Sequence, residues 1–288
     1  MDAAQVDAYL RRLGVADTPT PPTSEGLHAL HLRHLLTVPF ENLSVHLGEE
    51  IVLDDKHLVD KLVAARRGGF CYELNGAFGA LLAALGFEVS LLAARVYGEA
   101  GRLGVPYDHL ALRVRTRDGG DWLADVGFGA HSHYPLSLAD RGEQHDPGGV
   151  FRIAESAPDA AGAGADTEDG GGGVERAGGG GDLDVLRDGV RQYRLELRPR
   201  VLGDFVTGAW WHSTSPRSHF LQSLVCSRVT EDGGRITLSG RRLTVTGADG
   251  GRETRELEGD GEVLSVYRER FGMELDRVPE VRDRDGDG

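Results

Sequence analysis

A cysteine stands in "RRGGFCYELNGAF", Arg66 to Phe78, just past a glycine pair and at the start of a run that reads as a helix. At the leading end of a helix the unpaired N–H groups and the positive end of the dipole favour an anion. A thiol placed there ionises more readily and becomes a better nucleophile. Gly68 and Gly69 let the backbone approach closely and leave the Cys71 sulfur open to a substrate. Position alone is equally compatible with Cys71 packed as a small apolar side chain, the fate of most free cysteines.

A thiolate nucleophile needs a general base, and the base needs a carboxylate to orient it. The chain holds 11 histidines. His109 opens the strand-like "HLALRVRT", and Asp125 lies near the end of "DWLADVGF". A hairpin turn at "RDGG" pairs the start of one strand with the end of the next, which makes His109 and Asp125 diagonal neighbours on one face. The glycines of "VGFG" after Asp125 suit close backbone approach. Taken singly, His109 also reads as a strand-end surface residue and Asp125 as a turn or edge residue. His131 and His133 form an H-x-H pair that could hold a metal with Asp125, but no second cluster supports it, so no metal is expected. His28, His31 and His34 line up on one helix as a partly solvated face. Cys226 falls in an alternating strand pattern and reads as packed and inert.

The elements that must position these residues follow from hydrophobic periodicity. Four helices are predicted in the first third: "DAAQVDAYLRRLGV" stopped by Gly14, one in "PTPPTSEGLHALHLRHLLTVPF" capped by Thr23 or Ser24 and running until Pro39, "DDKHLVDKLVAARRGG" ended by glycine, and "CYELNGAFGALLAALGF" ended by Gly86. After Gly86 the period changes to that of strands in "FEVSLLAARV", "HLALRVRT", "DWLADVGF" and "QYRLELRP". Further strands are predicted in "HFLQSLVCSRVT", "RITLSG" and "RRLTVTG", then a last helix in "EVLSVYRERFGMEL" and a frayed tail "RDRDGDG". A glycine-rich stretch at about 156–185 is too poor in apolar side chains to offset its ordering entropy, and is read as a disordered insertion. Helices first and antiparallel strands after argue for an α+β fold, not a doubly wound dinucleotide fold.

Composition sets outer limits. With 40% hydrophobic residues the chain can bury a core, and a net charge of −14 argues against nucleic-acid or anionic-membrane partners. Two cysteines make no disulfide framework, and no apolar run approaches the roughly 20 residues that span a bilayer, so a cytoplasmic protein is expected.

The motifs "VPFENLSVH", "RRGGFCYELN", "HLALRV", "WLADVGFG" and "STSPRSHF", in this order over most of the chain, resemble the arylamine N-acetyltransferase family. The resemblance implies a papain-like architecture: an N-terminal helical domain over 1–86, an antiparallel β-barrel over 87–200 and a C-terminal α/β lid over 201–288. It also implies a catalytic Cys71, His109 and Asp125, agreeing with the reading from spacing. The family's ping-pong route passes acetyl from acetyl-CoA through the cysteine to an arylamine, arylhydrazine or arylhydroxylamine, in xenobiotic metabolism. Phe40 and Phe128 resemble substrate-pocket aromatics, and Thr214, Ser215 and Ser218, with Arg217 beside them, lie where the family holds CoA. Glu41 and Arg67 look like a buried ion pair. A monomer or weak homodimer is expected. Val105 and Pro106 stand where many relatives carry threonine and glycine beside the cofactor. Other readings share the same chemistry: an amide synthase releasing or cyclising an aromatic polyketide thioester, or a papain-like hydrolase. A non-enzymatic binding role is the fourth.

Overall fold

The computed structural model describes residues 1–16, 20–98, 101–156 and 181–281. Its first third is helical because caps and apolar spacing agree. Helix α1, Ala3–Leu13, starts in a capping box between Asp2 and Gln5 and stops at Gly14, whose φ is 73°. Helix α2, Ser24–Thr37, is capped by Thr23. Two short helices, α3 (Leu43–Leu47) and α4 (Asp55–Val59), lead through a π turn at Asp60–Ala64 to α5, Cys71–Ala84. The third expected helix does not end at a glycine: Arg66 takes the left-handed turn with φ 52°. Gly68 serves another need, since a Cβ there would lie 1.9 Å from the Pro39 carbonyl oxygen. That close approach lets Glu41 N–H bond the Gly69 carbonyl at 2.9 Å, joining the segment before Cys71 to strand β1, Phe40–Glu41.

Eight strands follow: β2 (Glu88–Val96), β3 (His109–Arg115), β4 (Asp121–Ala124), β5 (Leu136–Ser137), β6 (Gln144–Asp146), β7 (Gly149–Glu155), β8 (Leu183–Arg187) and β9 (Val190–Arg200). They form one antiparallel sheet in the order β5-β4-β3-β2-β9-β8-β7-β6. The two edge strands meet through one side chain. Gln144 accepts from the Ser137 N–H at 2.6 Å and donates to the Ser137 carbonyl at 3.0 Å, which closes the sheet into a near-barrel. The expected insertion at 156–185 is corrected at its end, because Leu183–Arg187 pairs with β7 and places Leu183 and Val185 in the barrel interior. Ser156 bonds the Asp182 carbonyl through both its N–H and its hydroxyl, at 2.9 and 2.8 Å. The remainder of that stretch and the tail from 282 lie outside the described residues.

The last third holds α6 (Val206–Thr214), α7 (His219–Gln222), β10 (Cys226–Val229), β11 (Arg235–Ser239), β12 (Arg242–Thr246), β13 (Arg252–Glu256) and α8 (Asp260–Phe271). The expected strand "HFLQSLVCSRVT" thus begins as a helical turn, because Ser218 caps the Phe220 N–H. Strand β1 crosses over to extend this sheet, pairing Glu41 with Cys226. Three cores result: α1, α2 and α5 against one face of β3, a barrel interior, and α8 against β10 to β12. The crossover strand is anchored by charge. Buried Glu41 accepts from Arg67 Nε at 2.9 Å and from the Leu43 N–H at 2.6 Å. Removing Glu41 leaves Arg67 only the half-exposed Glu49, at 3.1 Å, and the Leu43 N–H without its acceptor, so Glu41→Ala is expected to lower stability by about 2 kcal/mol in urea unfolding.

Candidate active site

Cys71 is the first residue of α5 and is 3% exposed. One turn later on the same helix face, Asn75 reaches into the β3–β4 hairpin. The ladder places Leu112 opposite Ala124. Continuing that register sets Leu110 opposite Val126, yet these two backbones do not bond each other. Instead Asn75 Nδ2 donates to the Leu110 carbonyl at 2.6 Å and Asn75 Oδ1 accepts from the Val126 N–H at 2.9 Å. The side-chain amide occupies the place of a rung. The same Nδ2 donates to Asp125 Oδ1 at 2.9 Å. Helix and hairpin are thereby keyed together, and the key lies four residues from the cysteine.

His109 begins β3 and Asp125 follows β4. His109 Nε2 meets Asp125 Oδ2 at 2.7 Å, with both side chains at most 3% exposed. The diagonal neighbourhood expected from the hairpin is present. Asp125 Oδ1 also accepts from the Gly127 N–H at 3.1 Å. Gly127 lies close to the nucleophile, since a Cβ there would come 2.7 Å from Cys71 Cα. His31 accepts the Asp125 N–H on Nε2 at 3.2 Å and holds the His133 carbonyl on Nδ1 at 2.9 Å. Those two bonds fix a neutral imidazole with its proton on Nδ1. Of the three helix histidines only His28 is partly solvated: His31 and His34 are fully buried, and burial lowers their pKa values to about 4 and about 3.

Burial alone would lower the pKa of His109. The Asp125 carboxylate outweighs it, by charge and by hydrogen bond, and the Cys71 sulfur adds to this, so the imidazole is raised to about 10. For Asp125 burial would raise the pKa, but the His109 charge and hydrogen bond hold it far below the usual carboxylate range. The carboxylate thus favours the charged form of the imidazole that shares the cleft with Cys71. Cys226 offers a contrast, buried in β10 with its thiol pushed well above the ordinary range, chiefly by burial.

Cys71 and His109 open onto a cleft of about 730 Å³. Phe40, Phe128 and Phe220 supply apolar walls, and Val105 and Pro106 line the same space. Phe128 also packs its ring edge-on to His109, 5.2 Å between centroids. Arg95, Arg102 and Arg217 bring positive charge, and Asp108 at the wall is paired with His212 at 3.0 Å. Thr214, Ser215 and Ser218 do not line this cleft. Thr214 bonds the Trp210 carbonyl and faces a separate hollow, and Ser218 is fully buried against His212. Their neighbours Arg217 and His219 do reach the cleft. Sequence reasoning missed Asn75 and His31, although Asn75 stands one helical turn from the cysteine in "CYELN". His131 and His133 are buried, His131 near Asp125, and among the described residues no cluster with metal-ligand composition occurs.

The residue 23–280 segment matches the family model described as N-acetyltransferase. The arylamine N-acetyltransferase of Escherichia coli (strain K12) is 34% identical over 256 residues, 87% of this chain and 82% of that protein. That of Mycolicibacterium smegmatis is 34% identical over 279 residues, 95% of this chain and 93% of its own. The solved M. smegmatis arylamine N-acetyltransferase superposes with a TM-score of 0.79 at 32% identity, over 96% of this chain and 93% of that one. The Mycobacterium marinum arylamine N-acetyltransferase in complex with CoA gives 0.77 at 30% identity, over 93% and 92%.

Asn75→Ala is expected to lose at least about 2 kcal/mol of stability, because the Val126 N–H, the Leu110 carbonyl and one Asp125 oxygen lose their partner together. Urea unfolding checks this. The His109 pKa in the fold lies above its unfolded value of 6.5, so the pairing contributes fully below that pH and fades as pH rises through about 10. The Asp125 contribution has the opposite sense and is lost on acidification below 3.8. Asp125→Asn is expected to move the His109 titration, followed by NMR, down by at least about one pH unit.

Proposed function

The chain belongs to the arylamine N-acetyltransferase family, and we propose that it carries acetyl from acetyl-CoA to an arylamine or arylhydrazine through an acetyl-cysteine at Cys71. The observation that carries this reading is the buried Asp125–His109 pair, with His109 and Cys71 lining one open cleft. In the first half-reaction the Cys71 sulfur attacks the thioester carbonyl. The carbon–sulfur bond to CoA breaks, and the departing CoA sulfur takes the proton held by His109. In the second, an aromatic amine attacks the acetyl-cysteine while His109, now neutral, accepts its proton. The S–acetyl bond breaks, the amide leaves, and the thiolate–imidazolium pair returns. Asp125 stays ionised throughout and keeps the imidazole turned towards the sulfur.

The cleft residues fit an acyl-CoA. Arg95, Arg102 and Arg217 offer guanidinium groups for phosphate oxygens, and the aromatic walls at Phe40 and Phe128 suit a flat acceptor. Arg217 and His219 are the proposed cofactor contacts within the cleft, with Thr214, Ser215 and Ser218 on the flanking segment. The three-part division at 86 and 200 is proposed as a division of labour: nucleophile from the helices, base and carboxylate from the barrel, cleft wall from the last part. Free, buried cysteines and the absence of a membrane-spanning helix among the described residues support the proposed cytoplasmic setting.

Brief exposure to acetyl-CoA, quenching in acid and peptide mass spectrometry is expected to find one acetyl group, on Cys71. Cys71→Ser is expected to fold, take no acetyl and reduce arylhydrazine acetylation by at least about a thousandfold. No labelling by acetyl-CoA, combined with labelling by a carrier-linked aromatic thioester, would replace this reading with the amide synthase.

A further inference from the structure

A second cavity, of about 280 Å³, lies between the near-barrel and the hairpin turns of the five-stranded sheet. It is separated from the catalytic cleft by the Phe128–His131 ring contact, 5.3 Å between centroids. Two arginines, one from each sheet, line it: Arg187 of β8 and Arg235 of β11. Arg235 donates to the Ser227 hydroxyl at 2.9 Å and has no carboxylate partner among the described residues. Arg187 donates to the Ala130 carbonyl at 3.2 Å and has Asp188 at 3.5 Å, while its buried Nε makes no hydrogen bond. His133, 5% exposed, also lines the cavity, and its ring makes no hydrogen bond among the described residues. The nearby Asp146 carboxylate is already taken up by the N–H groups of His133, Tyr134 and Gly148.

Two guanidinium groups lining one hollow, with donors to spare, form an incomplete site. Burial and the Arg187 charge both work against Arg235, whose pKa falls to about 10. Arg187 has only Asp188, at 3.5 Å, and Arg235 has no carboxylate partner among the described residues, an odd economy in a chain of net charge −14. We propose that this cavity binds a phosphate-type oxyanion, held by Arg187, Arg235 and the His133 ring and linking the two sheets. The cavity admits inorganic phosphate or the terminal phosphate of a larger molecule. The inference stands on this cavity alone and is independent of the acyl-transfer reading.

Titration calorimetry with inorganic phosphate, at constant ionic strength against chloride, tests it on the whole chain. Saturable binding is expected, weakened about tenfold or more in Arg235→Gln, and unchanged in Arg217→Gln, which alters the catalytic cleft instead. Phosphate is also expected to raise the His133 titration in NMR of the wild type, a readout that stands if Arg235→Gln fails to fold. CoA affinity measured in Arg235→Gln separates the sources: a parallel loss assigns the site to a phosphate of the co-substrate, and an unchanged affinity to free phosphate. No saturable binding in the wild type, equal affinity in Arg235→Gln, or loss in Arg217→Gln alone overturns the proposal.

Discussion

The Asn75 carboxamide bonds both the Leu110 carbonyl and the Val126 N–H, and so replaces a backbone rung between two strands. A primary amide has the donor and acceptor geometry of a peptide group, which is why it fits without leaving either backbone group unmatched. The consequence is geometric. Helix α5 and the β3–β4 hairpin have a defined rotation and height relative to each other. Cys71, one turn from Asn75, inherits that position, and His109 and Asp125 inherit it from the strands. A core of leucines and phenylalanines could be packed in several ways, whereas three directional bonds at one residue admit a single arrangement.

Around that key the electrostatics work by layers. Asp125 is buried, yet its oxygens and N–H reach His109, Asn75, Gly127 and His31. A carboxylate so fully solvated by protein groups stays charged without water, and the charge it keeps favours the protonated form of His109. The outer layer has the opposite character. A strongly acidic chain turns three arginines into the cleft, so the local field there is set by guanidinium groups against the sign of the global charge.

Much of this was legible in the sequence where the pattern is long or the punctuation strong. Helices α1, α2, α5 and α8 carry caps and sustained apolar spacing, and the "RDGG" turn fixed the hairpin that joins His109 to Asp125. Short elements were not legible. Strands β5 and β6 have two and three residues, and all five residues of β13 are exposed, so no alternation marks them. Helix α6 is apolar and short, and its exposed Trp210 and Val206 blur any stripe. The helix histidines misled for a different reason. His31 looks like a surface residue by type, and only the hairpin packed against it reveals that its ring satisfies the backbone of Asp125. Asn75 was visible as a helical neighbour of the cysteine, but nothing local to it announces a missing rung in a hairpin 35 residues away.

Strands β7 and β8 are stitched at their open end by Glu155 opposite Leu183 and by the doubled contact of Ser156 with Asp182. With the ends clamped, the entropy of closing the connection grows only with the logarithm of its length, about 0.6 kcal/mol for each doubling. Evolution can therefore lengthen or shorten this hairpin at little thermodynamic cost. The same clamp makes it a natural graft point, where a peptide tag or a small guest domain could be spliced in and carried by the enzyme as a passenger.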